Sequence, residues 1–237
     1  MGKDWGELER IWRLRLESIN RKLKRQHRPP ISRYHASDCS GRRKEFQGWS
    51  HDERDDFVKD LFGVFKRIPV HNVCLDMKLD DLCEVFPEFA SDRLRAAYGV
   101  ATQAIVELLA KDFYNLSGGR NDTRITLFHD RTANGKYDPV ILKTFNDIVL
   151  GPWFEFKHYF TTIAPISWEH CIALQPADLV AFEVFKAAEG REEGRERRKS
   201  FQALIDLEDF GIHSSRFPIE GMRNLRRTLD KRGLSLV

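Results

Sequence analysis

The sequence predicts an α/β protein in which a mixed sheet is flanked by helices. Three observations carry that expectation. Long stretches repeat apolar residues at helical spacing. Short runs rich in β-branched and aromatic residues lie between them. The spacing of these runs is irregular, which favours a mixed sheet over a doubly wound parallel one.

The first element is a helix over 4–27, where Trp5, Leu8, Ile11, Trp12, Leu14, Leu16, Ile19 and Leu23 fall near one stripe. Pro29-Pro30 ends it, because proline lacks the amide a helix interior needs. Residues 31–36 are expected to form a short strand, and a polar loop containing Ser40-Gly41 follows. Ser50-His51-Asp52-Glu53 is a capping-box pattern that opens a helix through about Ile68, with Phe57, Leu61, Val64, Phe65 and Ile68 on its core face. Val70–Met77 reads as a strand. Ser91 is the expected cap of a helix over 92–114, with Leu94, Tyr98, Ala101, Ile105 and Leu108 on one face.

Gly118-Gly119 breaks the chain, and Thr123–Asp130 reads as a buried strand. A helix over 137–149 and a strand over 159–163 follow. The helix from Gln175 to about Glu189 is apolar nearly all round, a pattern typical of burial. Residues 189–237 form a charged connector and a C-terminal extension with helices near 199–209 and 219–232. The chain of 237 residues is expected to be a single domain over 1–237, and no internal repeat is visible.

Composition narrows the class. Hydrophobic residues make up 41% and charged residues 32%, a balance of globular rather than disordered chains. No apolar run reaches the ~18 residues that span a bilayer, so a membrane partner is not expected. The charged N-terminus has no signal-peptide core, and the four cysteines are scattered without a CxxC pair. These features predict a cytoplasmic protein without a structural zinc site. They do not fix an oligomeric state.

The formal net charge is only +3, but it is unevenly spread. Residues 1–33 hold ten Lys/Arg against four Asp/Glu, and residues 211–237 hold six against two, while 44–92 is acidic. Basic ends are either solvated helix faces or a phosphate-attracting surface, which makes nucleic acid the candidate partner.

Two aspartates are the leading candidates for chemistry. Asp130 ends a strand and starts the loop Asp-Arg-Thr-Ala-Asn-Gly. Ligand-binding residues favour that end of a strand, where a carboxylate can hold a divalent metal; the alternative is a turn aspartate bonded to its own backbone. Asp178 lies in Leu-Gln-Pro-Ala-Asp-Leu-Val-Ala, an unusually apolar setting for an acid. It is either a metal ligand or a first-turn acid, at N3 of a helix with Gln175 as N-cap and Pro176 at N1. His35, Asp38 and Glu45 form a further polar group, and Glu183 and Glu169 are weaker candidates. No Gly-rich phosphate loop, Gly-x-Ser-x-Gly elbow or His-Glu-x-x-His motif occurs.

Three segments together resemble the domain-of-unknown-function 3800 family, whose members have an RNase H-like fold. They are Tyr34-His35-Ala36-Ser37-Asp38 with Glu45-Phe46-Gln47-Gly48-Trp49, the strand ending Leu127-Phe128-His129-Asp130, and Leu174-Gln175-Pro176-Ala177-Asp178-Leu179-Val180-Ala181. The last is similar to the family's Gln-x-Ala-Asp helix. The resemblance covers about residues 4–209. It implies a nuclease-type hydrolase using Mg²⁺ or Mn²⁺, with Asp130 and Asp178 as metal ligands and His35 and Gln175 near the site. It equally allows a non-catalytic descendant that binds nucleic acid or a protein. Family members open with a strand bearing Asp-Glu/Asp-Ser-Gly, whereas this chain begins with the helix that follows it. The N-terminal strands, and with them one acidic ligand, are therefore expected to be missing or truncated.

Overall fold

In chain order the helices are α1 (Gly2–Arg25), α2 (Ala36–Gly41), α3 (His51–Phe62), α4 (Leu79–Val85), α5 (Arg93–Ser117), α6 (Asp138–Val149), α7 (Leu174–Glu192), α8 (Lys199–Ile205) and α9 (Ile219–Arg232). The strands are β1 (His71–Asp76), β2 (Ile125–Asp130), β3 (Phe160–Ile166) and β4 (Gly211–Arg216). This computed structural model describes residues 2–68, 71–120, 124–167, 170–207 and 211–233. Among them the strands make two separate pairs, β1 with β4 and β2 with β3, rather than one larger mixed sheet. The chain is thus mixed α and β, with helices dominant. It divides into two compact units, one of residues 1–72 and 168–213 and the other of 73–167 and 214–237.

Unit 1 is built around α1, α2, α3, α7 and α8. The expected stripe of α1 is buried at Leu8, Ile11, Trp12, Leu16, Ile19 and Leu23, but Leu14 is half exposed; the side chain of Trp5 lies outside the described residues. The helix stops at Arg25, ahead of Pro29-Pro30. The capping box of α3 forms as its sequence predicts: Ser50 Oγ accepts from Glu53 N, and Glu53 accepts from Ser50 N at 2.7 Å. The helix ends at Phe62, yet Val64, Phe65 and Ile68 remain buried in the turns that follow. Phe57 meets Tyr34, Phe46 and Trp49, so an aromatic cluster joins α3 to the 34–49 segment.

The expected strand over 31–36 does not form. Residues 31–35 are irregular, and Ala36–Gly41 is a helical turn rather than a loop. The buried residues there are Ile31, Tyr34, Ala36 and Cys39. Their steps are three, two and three, whereas a strand with one buried face would need steps of two throughout. α7 starts two residues early, with Ala173 rather than Gln175 as N-cap, so Asp178 is the fifth helical residue and not at N3. It is not buried all round: Leu179, Val180, Glu183 and Val184 face inward, while Phe185 is half exposed.

Unit 2 pairs α5 with α6 and α4 with α9. Its core has two clusters. Leu82, Phe86, Ala96, Val100, Met222 and Leu229 form one, and Val106, Ala110, Phe145, Ile148, Phe154, Tyr159 and Phe160 the other. The cap of α5 is Asp92, which accepts from Arg95 N, and not its neighbour Ser91. The buried face of α5 is also turned from the expected one. Ala96, Gly99, Val100, Gln103, Ala104, Val106 and Ala110 point inward, while Leu94 is half exposed. Small residues let neighbouring elements approach closely, so the packing face here is marked by small side chains rather than bulk. α5 then ends as the Gly-Gly pair suggests, with Gly118 in the left-handed conformation that glycine adopts without penalty.

β2 and β3 are parallel, with Leu127 opposite Ile163 and Asp130 opposite Ile166. Burial along β2 alternates, and Phe128 is 44% exposed, so β2 is not the wholly buried strand expected. Thr123 and Val70, the expected first residues of two strands, lie outside the described residues. α4 and β4 were not expected from the sequence. Among the described residues no helix is long and apolar enough to cross a membrane.

Candidate active-site residues

Three of the four residues singled out for chemistry converge in unit 1. His35 occupies the N-cap position of α2 with extended backbone and no capping side chain of its own. The exposed amides of a helix start need acceptors. Asp178, one and a half turns into α7, supplies one: its Oδ2 accepts from Ala36 N at 2.8 Å, across 142 positions of sequence. Gln175, in the first turn of α7, is buried, and its Oε1 accepts from both Tyr34 N at 2.9 Å and Trp12 Nε1 at 3.0 Å. One amide oxygen therefore ties α1, the 34–36 segment and α7 together.

The second part of the cluster is carried by α2 itself. His35 Nδ1 lies 3.0 Å from Asp38 Oδ2, and Ser37 Oγ lies 3.2 Å from the same nitrogen. Asp38 is buried, whereas the His35 side chain is 45% exposed. Lys44 Nζ donates to the same Asp38 oxygen at 2.7 Å, and Arg43 Nε lies 3.7 Å from the other. Burial works to raise the Asp38 pKa, but the hydrogen bonds from Lys44 and His35 outweigh it and hold the carboxyl below its usual value. With Nδ1 facing Asp38, Nε2 of His35 has no partner among the described residues. An imidazole anchored at one nitrogen by a carboxylate and open at the other can move a proton.

Tyr34 underlies this cluster. Burial drives its hydroxyl pKa well above the usual value, and the charges of Cys39, Glu183 and Asp178 push the same way. Burial likewise pushes the Cys39 thiol up to about 12, which makes it an inert core residue. Glu183 is fully buried and accepts from Ser200 Oγ at 2.7 Å and Arg198 Nη2 at 3.2 Å. Its pKa is raised, burial outweighing the Arg198 charge and the Ser200 hydrogen bond. Glu45 accepts from Ser32. Glu169 lies outside the described residues. Arg43 and Lys44 were missed by the sequence reading. Nothing in a basic stretch after Gly41 marks which cation folds back onto Asp38.

Asp130 belongs to unit 2. It is exposed at the end of β2, and its carboxylate makes no hydrogen bond or ion pair among the described residues. The turn role considered for it falls to Asp138, whose Oδ1 accepts from Thr132 N at 3.0 Å and Thr132 Oγ1 at 2.8 Å. Burial raises the Tyr98 hydroxyl pKa, and the charges of Tyr137, Asp138 and Asp130 add to it.

Among the described residues no group of three or more His, Cys, Asp or Glu side chains could hold a metal ion. In unit 1 Asp178 offers a single carboxylate already bonded to an amide, and Asp38 is neutralised by Lys44. These residues do not by themselves make the several-oxygen shell that Mg²⁺ or Mn²⁺ takes. No protein-family model, curated protein or solved structure matches the chain.

Proposed function

We propose that the chain is a nuclease-type hydrolase of the RNase H-like class, with the start of α7 as part of its site. The observation that supports this most is the convergence of His35, Gln175 and Asp178, contributed by segments about 140 positions apart. In this reading Gln175 is a positioning residue that fixes the 34–36 backbone. His35 is the proton-transfer group, oriented by Asp38. Arg43 and Lys44 beside it suit a phosphodiester. Asp178 and Asp130 are the acids that the family resemblance assigns to Mg²⁺ or Mn²⁺. Among the described residues, side chains do not complete a ligand set for either ion.

A second reading is favoured by one feature of α1. A hollow of about 560 Å³ in unit 1 is lined by Arg21, Lys24 and Arg28 together with Glu17, Asn20 and Pro30. Arg28 is paired with Glu53 at 2.8 Å, while Arg21 and Lys24 have no ion pair among the described residues and suit a non-catalytic protein that holds nucleic acid by its phosphates.

One experiment separates the two. A labelled oligonucleotide is incubated with the protein and Mg²⁺ or Mn²⁺, and both cleavage and binding are followed. The hydrolase reading expects cleavage that falls at least 100-fold in Asp178→Asn and in His35→Ala. Absence of cleavage under all metal conditions, with salt-sensitive binding lost in an Arg21/Lys24/Arg28 alanine variant, rejects it and leaves the binding reading.

A further inference from the structure

Unit 2 contains a second cavity that neither reading uses. Its volume is about 600 Å³, within the range of small-molecule sites. Leu75, Ala104, Leu108, Phe217 and Leu225, from β1, α5, α9 and the residue after β4, supply its apolar lining. The charged lining is of two kinds, beside the neutral Asn224 and Thr228. Gln103, only 2% exposed, donates through Nε2 to Glu107 Oε1 at 3.1 Å, so the single acid of the lining is held by a buried amide. Lys111, Arg216 and Arg232 supply three cations.

These cations differ in how far they are committed. Arg216 Nε lies 3.5 Å from Asp76 Oδ2. Arg232 stacks on Trp153, 3.9 Å from the ring centroid, an interaction that holds its stem without neutralising its charge. Lys111 is exposed and has no ion pair among the described residues. The cavity therefore joins an apolar wall to a lining in which three cations face one carboxylate, and among the described residues neither Lys111 nor Arg232 is ion-paired.

We propose that this cavity binds a small amphipathic anion, with its apolar body against Leu108, Phe217 and Leu225 and its carboxylate or phosphate between Lys111 and Arg232. A purely apolar ligand would leave the two cations without a counter-charge, and a cationic one would face them directly. Glu107, the one acid of the lining, keeps its charge beside the Gln103 amide but is outnumbered by the three cations.

The test uses four octyl compounds with the intact chain, followed by amide NMR shifts and calorimetry. Octanoate and octyl phosphate supply the two anionic headgroups, octanol is neutral and octylammonium is cationic. Saturable binding of one or both anions is expected at about 1 mM or below, with shifts at Ala104, Leu108 and Leu225 and at least tenfold weaker binding of the other two compounds. The stronger anion identifies the headgroup. A Lys111→Gln, Arg232→Gln double variant, changed only at exposed positions, should lose at least tenfold for the anions and leave octanol unchanged. Equal binding of octanoate and octylammonium, or no saturable anion binding up to about 10 mM, overturns the proposal.

Discussion

The start of α7 and the end of β2 each present an aspartate, yet the two are used in opposite ways. Asp178 accepts a backbone amide from a distant segment, one residue-turn from a glutamine that accepts two more donors. Asp130 stands exposed with its carboxylate bonded to nothing described, while Asp138 organises the loop behind it. An acid with a structural partner stabilises the fold and is partly spent. An acid without one is not committed to the fold and is open to a ligand. The contrast separates what α7 does for architecture from what either aspartate does for chemistry.

That contrast can be broken by substitution. The largest effect is expected from Gln175→Leu, which strands the Trp12 indole N–H and the Tyr34 amide without an acceptor. Each buried unsatisfied donor costs about 1–3 kcal/mol, so a loss of roughly 2–6 kcal/mol should appear in urea unfolding. A loss under about 0.5 kcal/mol would show that the brace is dispensable. Asp178→Ala removes one acceptor at a helix start and should cost about 1 kcal/mol, whereas Asp178→Asn, which keeps a side-chain oxygen, should cost less.

The third effect is a change of pH dependence. Glu183 has a raised pKa in the folded state, so the fold binds its proton more tightly than the unfolded chain does. Its contribution is fully present below the unfolded carboxylate value and is lost as pH rises through the folded one. Glu183→Gln should flatten that fall in stability on the alkaline side of about pH 4. An unchanged pH profile would show that Arg198 fully offsets the burial cost. The smallest effect is expected at β2: Asp130→Asn should leave stability within about 0.5 kcal/mol of the parent. If it instead destabilises by more than 1 kcal/mol, Asp130 has a structural partner and the contrast collapses.

Sequence reading succeeded where local chemistry decides the outcome. The stripe of α1, the Ser50–Glu53 box and the Gly118 stop depend on neighbours in the chain, and all three form. It failed where a distant partner decides. Residues 31–36 look like a strand until Gln175 and Asp178 hold the Tyr34 and Ala36 amides and turn the chain into α2. On α5 the expected face followed the bulky residues, but close packing selected Ala96, Gly99 and Ala104 instead. Ser91 and Asp92 are adjacent and equally good caps, so only the direction of the incoming chain chooses between them. For the candidate site, the motifs singled out Asp130, Asp178, His35 and Gln175, of which the last three come together in unit 1 and Asp130 lies in unit 2. The cations that fold onto Asp38 carry no local signature.

The Cys39 thiol beneath this cluster gives the chain an intrinsic reporter. It lies within α2, the turn whose first amide Asp178 holds, and burial keeps it protonated across the neutral range. A thiol-directed reagent can modify it only in molecules where α2 has opened, so the labelling rate tracks the free energy of that opening. The exposure clock is thereby set by the same amide contacts that position His35.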